Sequence, residues 1–256
     1  PLLKTRVFST WENPNIFAGY LCTFSAYLMA FISVQKDKRW RWGLAVYLLC
    51  AGLCLVYTYS RGFWAALGLE LVCFTILFYR RGWGYLAALL AGAVATAGPA
   101  VQQRLQTLTS VHDTSAELHL AYLEIVRRII RDNPLGIGWY NYQFVFPDYD
   151  YIFKDPTVPM YHCHNFLLNI TAEIGIQGLL VFLFCWSAVL VQAWLLHKQA
   201  TRGWECAVGR GYILMSLGIL VGGLADHVLF NVRLGILFWL MTILVVIVRK
   251  YASLER

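Results

Sequence analysis

The chain has 256 residues, of which 59% are hydrophobic and only 14% charged. A soluble domain is about half apolar and about a quarter charged, so this composition excludes one and places the chain in a bilayer. The formal charge of +7 does not point to nucleic acid, because the basic residues sit in short clusters between apolar runs, which is the orientation signal of membrane proteins.

Apolar runs near 15–34, 43–60, 63–79, 83–101, 166–196, 207–225 and 232–248 are each long enough to cross a hydrocarbon core of roughly 30 Å. They predict an all-α, polytopic transmembrane bundle of about seven spans in residues 1–256, expected to be the C-terminal part of a longer membrane protein. Arg6 and Asn13-Pro14-Asn15 precede the first run, and Lys36-Asp-Lys38-Arg39-Trp-Arg41 follows it. Ser60-Arg61-Gly62 forms the next turn. Arg61 is either a snorkelling turn residue or faces an anionic headgroup or diphosphate, which a planar guanidinium binds through two parallel bonds. Glu70 lies mid-span, where a carboxylate is either protonated and structural or functional. Arg80-Arg81 separates the third and fourth runs.

Residues 102–163 form a loop too long to be a mere connector. Within it, 116–131 places Leu118, Ala121, Tyr122, Ile125 and Ile129 on one face and Glu124, Arg127, Arg128 and Arg131 elsewhere, an amphipathic helix suited to a bilayer surface. Asn133-Pro134 and Gly136-Ile-Gly138 end it. Tyr and Trp residues follow, from Trp139 to Tyr161, and serve either as interface anchors, the default, or as stacking surfaces for sugar rings. Asp148-Tyr-Asp150 has the spacing of a metal-binding acidic pair, but lies in this aromatic loop, where a nucleotide sugar is not expected.

The fifth run opens with His164 and carries Asn165, Asn169, Glu173 and Gln177 at four-residue intervals. That spacing makes one polar stripe on a helix, costly at a membrane edge unless something uses it. The first third of this run is expected at the interface, with Gly175 and Gly178 allowing a bend. Basic residues between His197 and Arg202 follow, then Asp226-His227 and Arg233 in the last turn, and Arg249-Lys250 to Arg256 at the end. The four basic clusters alternate with poorer connections and fall on one side. The positive-inside rule assigns them to the cytoplasm and puts Arg6, Arg61, the 102–163 loop, His164 and Asp226 on the outer face.

Five of the seven cysteines (Cys22, Cys50, Cys54, Cys73 and Cys185) lie inside apolar runs as small hydrophobes. Cys163 is flanked by His162 and His164, and reads as a free thiol rather than a zinc ligand. Adjacent residues point in different directions, and no second ligand pair has metal-site spacing. A neutral histidine at the outer interface is suited to take a proton from a hydroxyl, and nearby arginines to stabilise a departing phosphate. Those features favour a lipid-diphosphate donor and metal-free chemistry.

The residues also resemble a family. His164-Asn165 with Gly175 further on, Tyr59-Ser60-Arg61-Gly62 at a span end, Arg6 with Glu12-Asn13-Pro14-Asn15, and Asn133-Pro134-Leu135-Gly136-Ile137-Gly138 are together similar to the signature of the O-antigen ligase and polymerase superfamily. The resemblance covers essentially the whole chain. It implies a multi-pass glycosyltransferase of the bacterial inner membrane, with an extracytoplasmic active face. Such an enzyme moves a glycan from undecaprenyl diphosphate to an acceptor hydroxyl on lipid A core, a growing polysaccharide or a protein. It implies His164 as general base and Arg61 as diphosphate ligand, both catalytic, with no metal and no cofactor. The substrate-binding set is expected to be Arg6, Asn15, His119, Arg127, Asn165, Asn169, Glu173 and Asp226. A second family arginine has its counterpart at His119, which leaves Arg127 or Arg128 to supply that phosphate contact. Two other readings stand beside this one: a transporter for a small anion such as bicarbonate or for a lipid-linked sugar, and an assembly protein docking partners through its loop.

Overall fold

Asn13 accepts a hydrogen bond from the Asn15 backbone N–H at 2.7 Å and Pro14 occupies the first helical turn, so the chain enters α1 (Pro14–Val34) at a well-defined point. Asp37 caps α2 (Lys38–Val56) in the same way through the Arg39 N–H. The third helix, α3 (Arg61–Cys73), widens into a π turn at Phe74–Phe78 before α4 (Gly82–Thr96). The amphipathic α5 (Thr114–Asp132) and the short α6 (Tyr142–Tyr149) follow. Then come α7 (Phe166–Gln199), α8 (Gly203–Gly223) and α9 (Val232–Leu254). This computed structural model describes residues 6–96, 114–151 and 160–254.

Among the described residues, six helices are long and apolar enough to cross a membrane, with Arg61–Phe78 counted as one, and α4 is a shorter apolar helix. The expected fourth span matches α4 up to Thr96, and its tail at 97–101 lies outside the described residues, as do 102–113 and 152–159 of the expected loop. The architecture is therefore the all-α polytopic bundle that the hydropathy predicts.

α1 and α8 form its buried centre, while α2, α7 and α9 leave most of their surface outward. Glycines on α8 permit the close approach, as they do between helices in lipid, where van der Waals packing drives association. A Cβ at Gly222 would run into the Phe63 ring of α3, and one at Gly218 into the Glu70 carboxylate. Glu70 is fully buried there and accepts a hydrogen bond from the Cys22 thiol at 3.2 Å, the partner that its sequence context leaves unseen.

α7 is not one continuous helix. Gly175 breaks it with φ 77° and ψ 175°, a conformation open to glycine alone. The expected bend is thus real, and three backbone groups beside it are taken by the segment after α5. Ile137 N–H donates to Ala172 O, Gly138 N–H to Glu173 O, and Ile176 N–H to Pro134 O, at 2.9–3.1 Å. Buried backbone polar groups need such partners, so the loop and the break specify each other. The small second core of Ile125, Val126, Ile129, Tyr142 and Phe146 then seats α5 and α6 against α7.

Candidate functional site

The polar stripe on α7 turns out to have structural users. Asn165 caps the helix through the Leu168 N–H at 3.1 Å and donates to Leu224 O at 3.3 Å. The buried Asn169 accepts from the Cys163 N–H at 3.1 Å. Glu173, also buried, faces the backbone N–H groups of Tyr140 and Tyr142. Gln177 donates to Leu135 O at 2.9 Å. Together they pin the 162–164 segment and the 134–142 loop to the first turns of α7.

His164 stands just before the cap with a left-handed backbone (φ 53°), an uncommon state for a residue with a Cβ. Its Nδ1 lies 3.1 Å from Oδ1 of Asp226, in the turn after α8. That carboxylate is itself held: Oδ1 accepts the His227 N–H at 2.8 Å and Oδ2 accepts the Asn15 amide at 2.7 Å. Asn15 Oδ1 accepts in turn from Arg6 at 2.7 Å and from the Ser60 hydroxyl at 2.6 Å, and Arg6 Nε donates to Thr58 O at 2.7 Å. Ser60 occupies the N-cap position of α3 but makes no capping bond. Its hydroxyl serves this network instead, one residue before Arg61.

Burial pushes the Asp226 carboxyl up. The hydrogen bond and charge of His164, the charge of His162 and the Asn15 amide outweigh burial and hold the carboxyl well below the usual carboxylate range. An ionised carboxylate only accepts, so in the neutral form of His164 the ring proton sits on Nδ1, in this bond, and Nε2 carries the lone pair. Burial lowers the His162 imidazole to about 4, against an opposing pull from Asp226 and with a further push from His164. Burial likewise lowers His227 to about 3 and raises the Cys163 thiol to about 12.

His164, Asp226, Asn15 and Arg6 open on one cavity of about 670 Å³, which His162 and His227 do not line. Arg6, Asn15, Arg61, His119, His164, Asn165 and Asp226 line it, so most of the residues expected from sequence are brought together. Phe63, Leu120, Leu123 and Leu224 supply an apolar wall. Three expected residues do not line it. Asn169 and Glu173 lie under the loop, and Arg127 is exposed on α5. Arg128 pairs with Glu124 at 2.9 Å and covers the Tyr151 ring, also away from the cavity. Tyr122 was counted from its periodicity as an apolar-face residue, yet its ring tilts against His164 at 5.1 Å, and His119 meets the same imidazole edge-on at 5.9 Å.

The Asp226–Asn15 pairing has no local signal in sequence, where His162 stands out only as a neighbour of Cys163. His162, His164 and Asp226 offer ligand atoms all within 4.8 Å of one another, which supplies the third ligand that the spacing around Cys163 lacks.

A family model described as O-antigen ligase matches residues 45–183. The matched segment contains Arg61, His119 and His164, while Arg6, Asn15 and Asp226 join the site from outside it. No curated protein matches the chain.

Proposed function

The chain belongs to the O-antigen ligase family, and on that footing we propose that it transfers a glycan from a polyprenyl-diphosphate donor to an acceptor hydroxyl on the extracytoplasmic face. The family makes it a membrane glycosyltransferase of ligase or polymerase type.

One observation carries the proposal: His164, hydrogen-bonded to an anionic Asp226, and Arg61, at the first turn of α3, line the same cavity. In the reaction, His164 Nε2 takes the proton of the acceptor hydroxyl as its oxygen bonds to the anomeric carbon of the donor sugar. The bond from that carbon to the diphosphate oxygen breaks, and its electron pair leaves with the polyprenyl diphosphate. Asp226 stabilises the imidazolium that forms. Arg61 and the amide-rich helix start beside it face the growing negative charge, a role that a divalent cation fills in other transferases. The apolar wall suits a lipid-borne donor.

Undecaprenyl diphosphate is the proposed carrier, with lipid A core, a polysaccharide or a protein as acceptor. The cavity lies at the ends of α1, α3, α7 and α8 opposite the basic clusters, and positive-inside bias makes that end extracytoplasmic in a bacterial inner membrane. A transport reading has less support. Glu70, the deeply placed carboxylate that motivates it, is sealed against Cys22 and Gly218 and does not line the cavity.

The test is transfer in nanodiscs from a polyprenyl-diphosphate glycan. His164→Ala and Arg61→Ala are expected to abolish transfer while still inserting. Unchanged turnover in His164→Ala would remove the base assignment, and acceptor-independent flux into proteoliposomes without transfer would favour transport.

A further inference from the structure

We propose that His162, His164 and Asp226 form a zinc site whose occupation switches off the transfer reaction. The inference rests on the reading of His164 as the base. The distances are those of a site nearly formed. His164 Nδ1 and His162 Nδ1 lie 3.1 and 3.9 Å from the same Asp226 oxygen. Two nitrogens and an oxygen at about 2.0–2.2 Å from a tetrahedral zinc stand roughly 3.3–3.5 Å apart, and the three ligand atoms here lie within 4.8 Å of one another, so the His162 ring closes the set by moving toward His164.

The surroundings also suit a cation. Asp226 is nearly buried and its orientation is fixed by Asn15 and the His227 N–H, the kind of outer support that metal-binding carboxylates receive. His162 Nδ1 accepts the His164 N–H at 3.3 Å, so this nitrogen holds a lone pair with no proton to lose, and that long bond gives way when the metal takes the pair. Two imidazoles and one carboxylate select zinc over magnesium or calcium, which favour all-oxygen sets. His164 and Asp226 both line the cavity, which leaves the fourth position open to it.

The chemical consequence follows from proton placement. In the metal-free site the single ring proton of His164 sits on Nδ1, in the bond to Asp226. Zinc takes the Nδ1 lone pair, the proton moves to Nε2 through solvent, and none is gained or lost. An Nε2 that carries the proton can donate but not accept, so the base is gone.

The experiment uses the full, tag-free chain in nanodiscs, stripped with EDTA and titrated with zinc chloride against a chromophoric chelator, with transfer followed in parallel. The expected result is one zinc per chain and at least a tenfold fall in transfer at saturation. EDTA should reverse the fall and magnesium should have no effect. His162→Gln should lose at least tenfold in zinc affinity and need at least tenfold more zinc to halve its own metal-free transfer, and Asp226→Asn should lose zinc affinity as well. Absence of stoichiometric binding, equal affinity in His162→Gln, or transfer that zinc leaves unchanged or raises would overturn the proposal. A chain inactive in every metal state that still binds zinc through His162 would sink the transfer reading and leave the site standing.

Discussion

Nδ1 of His164 and Oδ1 of Asp226 lie 3.1 Å apart across 62 residues of sequence, joining the start of α7 to the end of α8. The bond fixes which imidazole nitrogen is free. Asp226→Asn keeps the shape but offers a neutral amide in place of the anion. Transfer is expected to fall on the order of 10²–10⁴-fold in kcat, with little change in donor KM. Steady-state kinetics in nanodiscs check it, and a pure KM effect would speak for substrate contact instead.

Asn15 supports that carboxylate from behind. Asn15→Leu leaves the Arg6 guanidinium and one Asp226 oxygen short of a bond. A loss of about 1–3 kcal/mol, roughly 5- to 150-fold in kcat, is expected. Thermal unfolding of the variant separates this loss from misfolding, since a positioning defect leaves the melting temperature close to that of the parent.

Arg61→Lys retains the charge and removes the planar fork. Two parallel bonds to a diphosphate reduce to a point contact, and about 1.5–3 kcal/mol of stabilisation in kcat/KM is expected to go. Comparing donors carrying a diphosphate and a monophosphate tests the assignment, because the variant should narrow the difference between them.

Gly175→Ala places a Cβ 2.5 Å from the Leu135 carbonyl carbon, at a backbone angle that L residues avoid. Destabilisation of about 1–3 kcal/mol is expected. Hydrogen exchange should show the amides of Ile137, Gly138 and Ile176 losing protection first. Uniform exchange across the bundle would separate the loop's anchoring from the break.

Acid should loosen the turn after α8 in metal-free protein. His227 sits at about 3 when folded, against an ordinary 6.5, so as pH falls below 6.5 the unfolded chain takes up a proton that the folded chain refuses. Stability then declines toward pH 3 by up to about 1.4 kcal/mol per pH unit for this group. His227→Phe keeps the backbone bond to Asp226 and is expected to show a shallower decline between pH 6 and 4, read as melting temperature in EDTA.

Helix positions were legible because hydropathy and period are local properties. The Gly175 bend could be read from glycine in an overlong apolar run, whereas the helix caps at Asn13 and Asn165 show only in the structure. The stripe shows where local reading ends. Asn165, Asn169 and Glu173 of the stripe were expected to bind substrate, yet Asn169 and Glu173 hold Cys163 and the aromatic loop in place. Spacing gives the shared face of a helix but not what docks on it. In the same way, Tyr122 reads as one more apolar position, and only the packing of α5 over α7 brings its ring to His164.

Sequence alone determined that the chain is a bundle of apolar helices with its basic clusters at one end and a set of polar residues at the other, because burial in lipid and charge bias act on each segment separately. Tertiary structure decided which polar residues meet. The pairing of Asp226 with His164, the diversion of Ser60 from its helix cap, and the approach of His162 all depend on the depth and rotation of whole helices. Contacts such as Gly222 against Phe63 set these, and no single segment encodes them.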